Sequence, residues 1–357
     1  MRRAVLCHEL ASPGSPEDHI RGLLDDGELR DRTTRWAVAE RIDGLWCSLL
    51  LSHGITDQVA ISAHLASQRL VLGCEATATQ LCETLGAAGV DVRLVKGIAA
   101  ANLDYEDPAQ RSTVDVDAVV PREQLPAAIA ALEAAGYRRS QPALRPGWER
   151  RFARTVVLVA PHGLEIDLHV AVATGYFGRR MPMHDLLAAG GELDLGGVRC
   201  GTLSPTARLV WSCYAAGLNR GTSGRYLRDA AQQLSVGGAD WRSAVRLAAA
   251  GDGEAVLAAA ATDAVEAGLL AADHPFAEWA RGVRPSTRAA KALRLAAAGR
   301  THGWSADARS TMLALGPLDT VRFLAEFVVP SPERRRTERR TLRERLRRIA
   351  RFARMGR

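Results

Sequence analysis

Apolar positions in the first ninety residues recur at helical spacing. Over 33–53, Trp36, Ala39, Ile42, Trp46, Leu49 and Leu50 share one face of an α-helix. The same periodicity predicts helices over 56–70 and 75–88, the latter closed by Gly86 and Gly89. The pattern then changes. Short β-type runs occupy 92–95 and 114–120, and an amphipathic helix with Leu125, Ile129 and Leu132 runs over 122–136. A strand at 155–160, a Pro161-His162-Gly163 turn and an alternating strand at 164–170 read as a hairpin, with one more strand at 197–202. Helical spacing returns over 205–217, 225–236, 239–250, 253–270, 286–298 and 317–328, and Pro330-Ser331-Pro332 breaks the chain after it.

These elements predict an α+β protein, a small mixed sheet between helical regions. The expected divisions are a helical region at 1–90, a β-containing core at 91–203, a second helical region at 204–330 and a tail at 331–357. Pro330 and Pro332 are expected to separate the tail from the last core helix.

Composition narrows the class. The 357 residues are 47% hydrophobic and 24% charged, which suits a globular chain. No apolar run approaches the ~20 residues of a membrane span. The N-terminus has basic residues but no apolar stretch behind them, so no signal peptide is expected. The six cysteines form no CxxC pair, which argues for buried free thiols in a reducing cytoplasm rather than zinc or disulfides. The net charge of +7 is concentrated: 12 Arg and 3 Glu in 333–357 contribute +9, leaving −2 for the rest. Of 47 basic residues only Lys96 and Lys291 are lysine.

The central block carries the chemistry. Asp115 and Asp117 lie two apart in a strand-like run, so both carboxylates face one side. Two like charges there need a cation over them, and Mg²⁺ suits a site where substrate phosphates supply the remaining ligands. In Glu165-Ile166-Asp167-Leu168-His169 the ionisable residues alternate with apolar ones. A strand bearing them beside the Asp-x-Asp strand brings Asp167 near Asp115 and Asp117, a donor set for a two-metal phosphoryl- or nucleotidyl-transfer site. Lys96-Gly97 ends the first strand and opens a helix, where a phosphate can meet backbone amides and the lysine charge.

The combined pattern is Leu94-Val95-Lys96-Gly97, Tyr105-x-Asp107-Pro108-x-x-Arg111, Val114-Asp115-Val116-Asp117 and Ile166-Asp167-Leu168-His169. Over about 91–170 it resembles the nucleotidyltransferase superfamily with the polymerase-β-like fold, and most closely a bacterial group labelled uncharacterised nucleotidyltransferases. In that group Lys-Gly stands where the wider superfamily has Gly-Gly or Gly-Ser. The resemblance implies Lys96 and Gly97 at the triphosphate, Asp115 and Asp117 as metal ligands, and Asp167 as the third carboxylate, activating the acceptor hydroxyl. Tyr226-Leu227-Arg228-Asp229 is similar to an Arg-Asp element that family members carry in a later helix.

Several side chains keep two readings. Arg111 either clamps a phosphate or pairs with Asp104 or Asp107 on the surface. His169 either bonds and orients Asp167 or is a structural histidine. Arg145, Arg150, Arg151 and Arg154 either meet triphosphate or an anionic acceptor, or form a solvated loop; Arg220, Arg225 and Arg228 pose the same choice. In the tail, Leu342, Leu346, Ile349 and Ala353 at helical spacing suggest an amphipathic basic helix with an anionic partner, or a frayed terminus. The expected activity is transfer of NMP from an NTP, with Mg²⁺ and release of pyrophosphate, to an acceptor that is an RNA end, a small molecule, a sugar or a protein hydroxyl. The alternatives are a non-catalytic nucleotide-binding protein of the same fold, or a nucleic-acid-binding protein acting through its tail.

Overall fold

The computed structural model describes residues 24–219, 224–302 and 304–338, and beyond them 341, 343–345 and 347. The first predicted helix is two: α1 (Gly27–Ala39) and α2 (Asp43–Ser52). The break lies at Arg41, whose φ of 60° is left-handed and cannot continue a helix. The two helices predicted over 56–70 and 75–88 are instead one, α3 (Gln58–Ala87), started by the Asp57 carboxylate accepting from the amides of Val59 and Ala60. Gly73 sits in its interior without breaking it, and Leu164 packs where a Cβ would point.

After α3 come β1 (Arg93–Leu94), α4 (Gly97–Asp104), β2 (Val116–Val119), α5 (Leu125–Ala134), β3 (Arg138–Arg139) and α6 (Trp148–Phe152). The expected hairpin is β4 (Thr155–Val159) and β5 (Glu165–His169). Then follow α7 (Gly175–Arg180), α8 (Met183–Ala188), β6 (Gly190–Leu195) and β7 (Val198–Leu203). The strands form one sheet in the order β3-β4-β5-β2-β1-β7-β6, with β2–β5 and β1–β7 parallel and the other pairs antiparallel. Sequence periodicity missed β3, which is two residues long, and β6, which opens on Gly190-Gly191. It also missed α6, α7 and α8, all too short to show a period.

The sheet has two different faces because its strands alternate. Leu94, Val116, Ala118, Ile166 and Leu168 pack against Cys74, Ala78, Leu81 and Leu85 of α3 and Ala128, Ile129 and Leu132 of α5. Each fully buried leucine here is worth about 2 kcal/mol of hydrophobic stabilisation. The opposite face carries the ionisable residues of β2 and β5 and meets the C-terminal helices. Those are α9 (Pro205–Leu218), α10 (Gly224–Ser235), α11 (Trp241–Ala249), α12 (Glu254–Glu266), α13 (Pro275–Gly282), α14 (Thr287–His302), α15 (Trp304–Met312) and α16 (Pro317–Val328). Their shared core, with Leu209, Val210, Trp211 and Tyr214 of α9 and Val256 and Leu257 of α12, also takes in Val95 and Val119 from the sheet.

Pro330-Ser331-Pro332 does end α16, but it does not set the following segment apart. Ser331 caps α17 (Pro332–Thr337), its hydroxyl accepting from the Arg334 amide at 3.2 Å and donating to the Ala143 carbonyl at 2.6 Å. The fully buried Glu326 carboxylate accepts from the amides of Arg145 and Ser331. The start of the tail is thus docked on the body. The tail stripe of Leu342, Leu346, Ile349 and Ala353 lies outside the described residues, as do Cys7 and Arg220.

Cys47, Cys74, Cys82, Cys200 and Cys213 are buried free thiols, and burial pushes those of Cys74 and Cys213 up to about 12. Among the described residues no helix is long and apolar enough to cross a membrane.

Candidate active site

Asp117 and Asp167 are register partners on the parallel strands β2 and β5, so their side chains stand next to each other on the α9-facing side of the sheet. His169 lies two residues further on the same face. Atoms of these three side chains lie within 4.8 Å of one another, a geometry that can hold a cation. Lys96 reaches the group from the end of β1. Its ammonium donates to Asp117 Oδ1 at 2.6 Å and stands 3.1 Å from His169 Nε2.

The ring of His169 is fully buried, with Nε2 2.7 Å from Asp117 Oδ1 and Nδ1 2.7 Å from Thr155 Oγ1. A neutral ring that donates from Nε2 and accepts the Thr155 hydroxyl proton satisfies both contacts; the tautomer is assigned from this network. Burial and the nearby Lys96 charge support the neutral form, lowering the ring to about 3. Of the two readings left open for His169, one had it bond and orient Asp167. Its bond is to Asp117 instead, and Asp167 Oδ2 is 3.9 Å away.

The two carboxylates differ electrostatically. Burial would raise Asp117, but the Lys96 charge and the bonds from Lys96 and His169 overcome it and hold the group well below the usual carboxylate range. Asp167 is raised, first by burial and then by the Asp117 charge. A carboxylate pair with one member short of positive charge suits a divalent cation, and oxygen donors suit Mg²⁺.

Asp115 was expected beside Asp117 on the strand. It directly precedes β2, and its Oδ1 accepts from Arg41 Nη1 at 2.9 Å. Its charge still contributes to raising Asp167. Arg41 was not foreseen, since nothing in the helical pattern around it marks a kink that aims a guanidinium at residue 115.

Lys96 caps α4 with φ 54° and ψ −131°, a conformation that suits glycine. Such a non-glycine residue stores on the order of 1–3 kcal/mol of strain. Gly97 is required by crowding, because a Cβ there would lie 2.4 Å from Thr113 Oγ1. A cavity of about 380 Å³ opens beside Lys96 and is bordered by Arg154, Thr174, Asn219, Tyr226 and Asp307. Of the arginines left open from the sequence, Arg154 therefore borders the site.

Arg111 is elsewhere, and both expectations for it need correction. It is 1% exposed, and its Nε and Nη2 donate to the two oxygens of Asp229 at 2.9 and 3.1 Å. Asp229 Oδ1 also accepts from the Tyr105 hydroxyl. With its fork engaged by a carboxylate, Arg111 has no geometry for clamping a phosphate. Asp104 is not its partner either, being bound by Arg208 and Gln233. The Tyr105…Arg111 segment and the Asp229 element thus meet as a buried lock between the sheet domain and α10.

Residues 27–266, from α1 to the end of α12, match the family described as "Uncharacterised nucleotidyltransferase". The chain belongs to this family. The matched span takes in every strand and, of the residues named around the site in this subsection, all except Asp307. At the general level, this makes the protein a nucleotidyltransferase with the α+β fold expected from its motifs. Among curated proteins, none matches the chain. Two solved structures are distant likenesses. An antigenic nucleotidyltransferase-like protein from Paracoccidioides brasiliensis is 19% identical over 45% of this chain and 75% of its own, with a TM-score of 0.31. The antibiotic-resistance factor ANT(2'')-Ia is 16% identical over 49% of this chain and 91% of its own, with a TM-score of 0.34.

Proposed function

We propose that this nucleotidyltransferase moves an NMP group from a magnesium-bound NTP to an acceptor hydroxyl and releases pyrophosphate. The observation that carries the reading is the pairing of Asp117 with Asp167 on adjacent parallel strands, next to the Lys96–Gly97 helix start. Asp117 and Asp167 would hold Mg²⁺, with Asp115 the third carboxylate nearby. When bound, the metal supplies charge neutralisation and alignment at the reacting phosphate.

The chain's own residues do the rest. Lys96 and the amides opening α4 receive the phosphates. His169 fixes the orientation of Asp117. Asp167, the register partner of Asp117 and 3.9 Å from His169, would take the acceptor proton. The acceptor oxygen bonds to the α-phosphorus, the bond from that phosphorus to the bridging oxygen breaks, and pyrophosphate departs with the electron pair.

The test is incubation of the protein with each α-labelled NTP, Mg²⁺ and cell extract, followed by identification of the labelled product. Label transfer is expected, and it should vanish in Asp117→Asn and Asp167→Asn. A second reading, nucleotide binding without turnover, draws on one feature: Lys96 and Arg41 already neutralise Asp117 and Asp115. Tight NTP binding by the wild type, with no pyrophosphate released in any extract, would establish that reading over the first.

A further inference from the structure

A second cavity, with largely apolar walls, lies near the one beside Lys96. It has a volume of about 640 Å³ and lies across β4 from the carboxylates, floored by Thr155 and Val157. Such volumes are typical of small-molecule sites, about 300–1,000 Å³. Val157 is the antiparallel register partner of Asp167, and the Thr155 hydroxyl bonds His169, so this floor continues the face that carries the site. In strand order, Lys96 follows β1 while the cavity lies over β4, with Asp117 and Asp167 between them on β2 and β5. In strand order the carboxylates thus lie between Lys96 and the cavity, which adjoins the one beside Lys96 through the shared Arg154, Thr174 and Asp307.

The walls combine two chemistries. Trp148, Phe152, Phe323 and Phe327 form an aromatic cluster, with Trp148 stacked on Phe323 at 5.7 Å. Arg122, Arg154 and Arg179 line the sheet side. None of the three forms an ion pair among the described residues. Arg122 donates to the carbonyls of Arg150 and Val170, and Arg179 to that of Arg151. The Nε atoms of Arg154 and Arg179 are buried with no hydrogen-bond partner. The three side chains are half-buried; Asp307 also lines the cavity and feels the Arg154 charge, and Arg179 lies over the Phe152 ring, so the two buried Nε atoms are the unsatisfied donors that an anion would meet. The neighbouring charges register on one another: burial and Arg179 together push Arg122 down to about 10.

We infer that this cavity is the acceptor pocket, and that the acceptor is a small molecule pairing an apolar or aromatic body with a phosphate or carboxylate group. The aromatic cluster takes the body, and Arg122, Arg154 and Arg179 take the anion. The inference rests on the nucleotidyl-transfer reading for the word acceptor, but the pocket and its ligand chemistry do not.

The probe is phenyl phosphate, with phenylacetate as the carboxylate arm, titrated into the full-length protein by calorimetry in EDTA without nucleotide. Saturable binding of at least one probe is expected, and whichever binds tighter identifies the anion. Arg179→Gln and Arg122→Gln should each weaken it tenfold or more while leaving ATP affinity within twofold. Val157→Phe, which fills the cavity without removing charge, should also abolish probe binding; it keeps the test informative if an arginine variant fails to fold. Absence of binding by both probes overturns the inference, including the case where a short single-stranded RNA binds instead. A parallel loss of ATP affinity in the arginine variants overturns it too, by assigning these arginines to the triphosphate. Arginine-dependent probe binding without NMP transfer in any extract would leave the pocket standing and remove the transfer reading.

Discussion

Lys96 illustrates how much a single residue carries here. It holds a backbone conformation that favours glycine, and its ammonium keeps Asp117 ionised. Arginine would preserve the charge but spread it over a planar fork, with no room to sit 2.6 Å from Asp117 Oδ1 and 3.1 Å from His169 Nε2 as a point charge. Lys96→Arg should lower NMP transfer at least tenfold, about 1.4 kcal/mol in barrier, while Lys291→Arg is silent. Steady-state kinetics on the two variants side by side checks this, and matching wild-type rates would remove Lys96 from the site. Asp117→Asn tests the same contact from the other end. Relief of carboxylate repulsion alone would stabilise the variant, but the substitution also strips Lys96 of its counter-ion in a nearly buried position. The second effect dominates, so thermal denaturation should show a loss on the order of 3 kcal/mol along with loss of turnover.

At the scale of elements, two contacts hold the site together. The first is the approach of the 113–115 segment to the start of α4. A Cβ on Gly97 would strike the Thr113 side chain, whose hydroxyl donates to the Asp115 carbonyl. Gly97→Ala should destabilise by about 1–3 kcal/mol. Thr113→Ala in the same chain should restore part of that loss, which urea unfolding of the two single variants and the double variant can measure. The second contact is the Arg111–Asp229 lock with Tyr105. Removing one partner strands a buried charge, so Arg111→Met should cost about 3–5 kcal/mol, and replacing both partners with apolar residues should cost less. A double-mutant cycle with no coupling energy would refute the lock. Arg111→Met should leave ATP affinity unchanged at temperatures where the variant is folded.

For the whole molecule, the C-terminal helices close over the sheet and the 331–337 segment docks on the 143–145 segment. The bonds from Ser331 and Glu326 to the 143–145 segment define where the body ends. A chain truncated after Glu338 should melt close to wild type. One truncated after Val329 loses the Ser331 bonds and leaves part of buried Glu326 unsatisfied, a loss of about 2 kcal/mol at typical hydrogen-bond values. Equal melting temperatures for the two truncations would show that the docked segment contributes nothing. If the basic residues beyond 338 hold an anionic acceptor, the shorter chain should also bind it with a flatter salt dependence.

The sequence alone determined the outline of the fold and the identities of the two central carboxylates. Alternation in 164–170 and the Asp-x-Asp run are local patterns, and strand geometry converts them directly into a shared face. The pairing of Asp117 with Asp167 needed only that β2 and β5 be neighbours. Tertiary structure decided everything that depends on distant residues meeting. Arg41 pairs with Asp115 through a backbone kink that no periodicity encodes. Arg111 turns from a phosphate candidate into a buried lock because Asp229, more than a hundred residues later, arrives beside it. His169 bonds Asp117, fifty-two residues earlier, rather than Asp167 on its own strand because β2 and β5 lie side by side. The arginine-lined cavity exists only because α15 and α16 close over β4. Charge pairing is a property of space, and a chain position states only which charges are available to be paired.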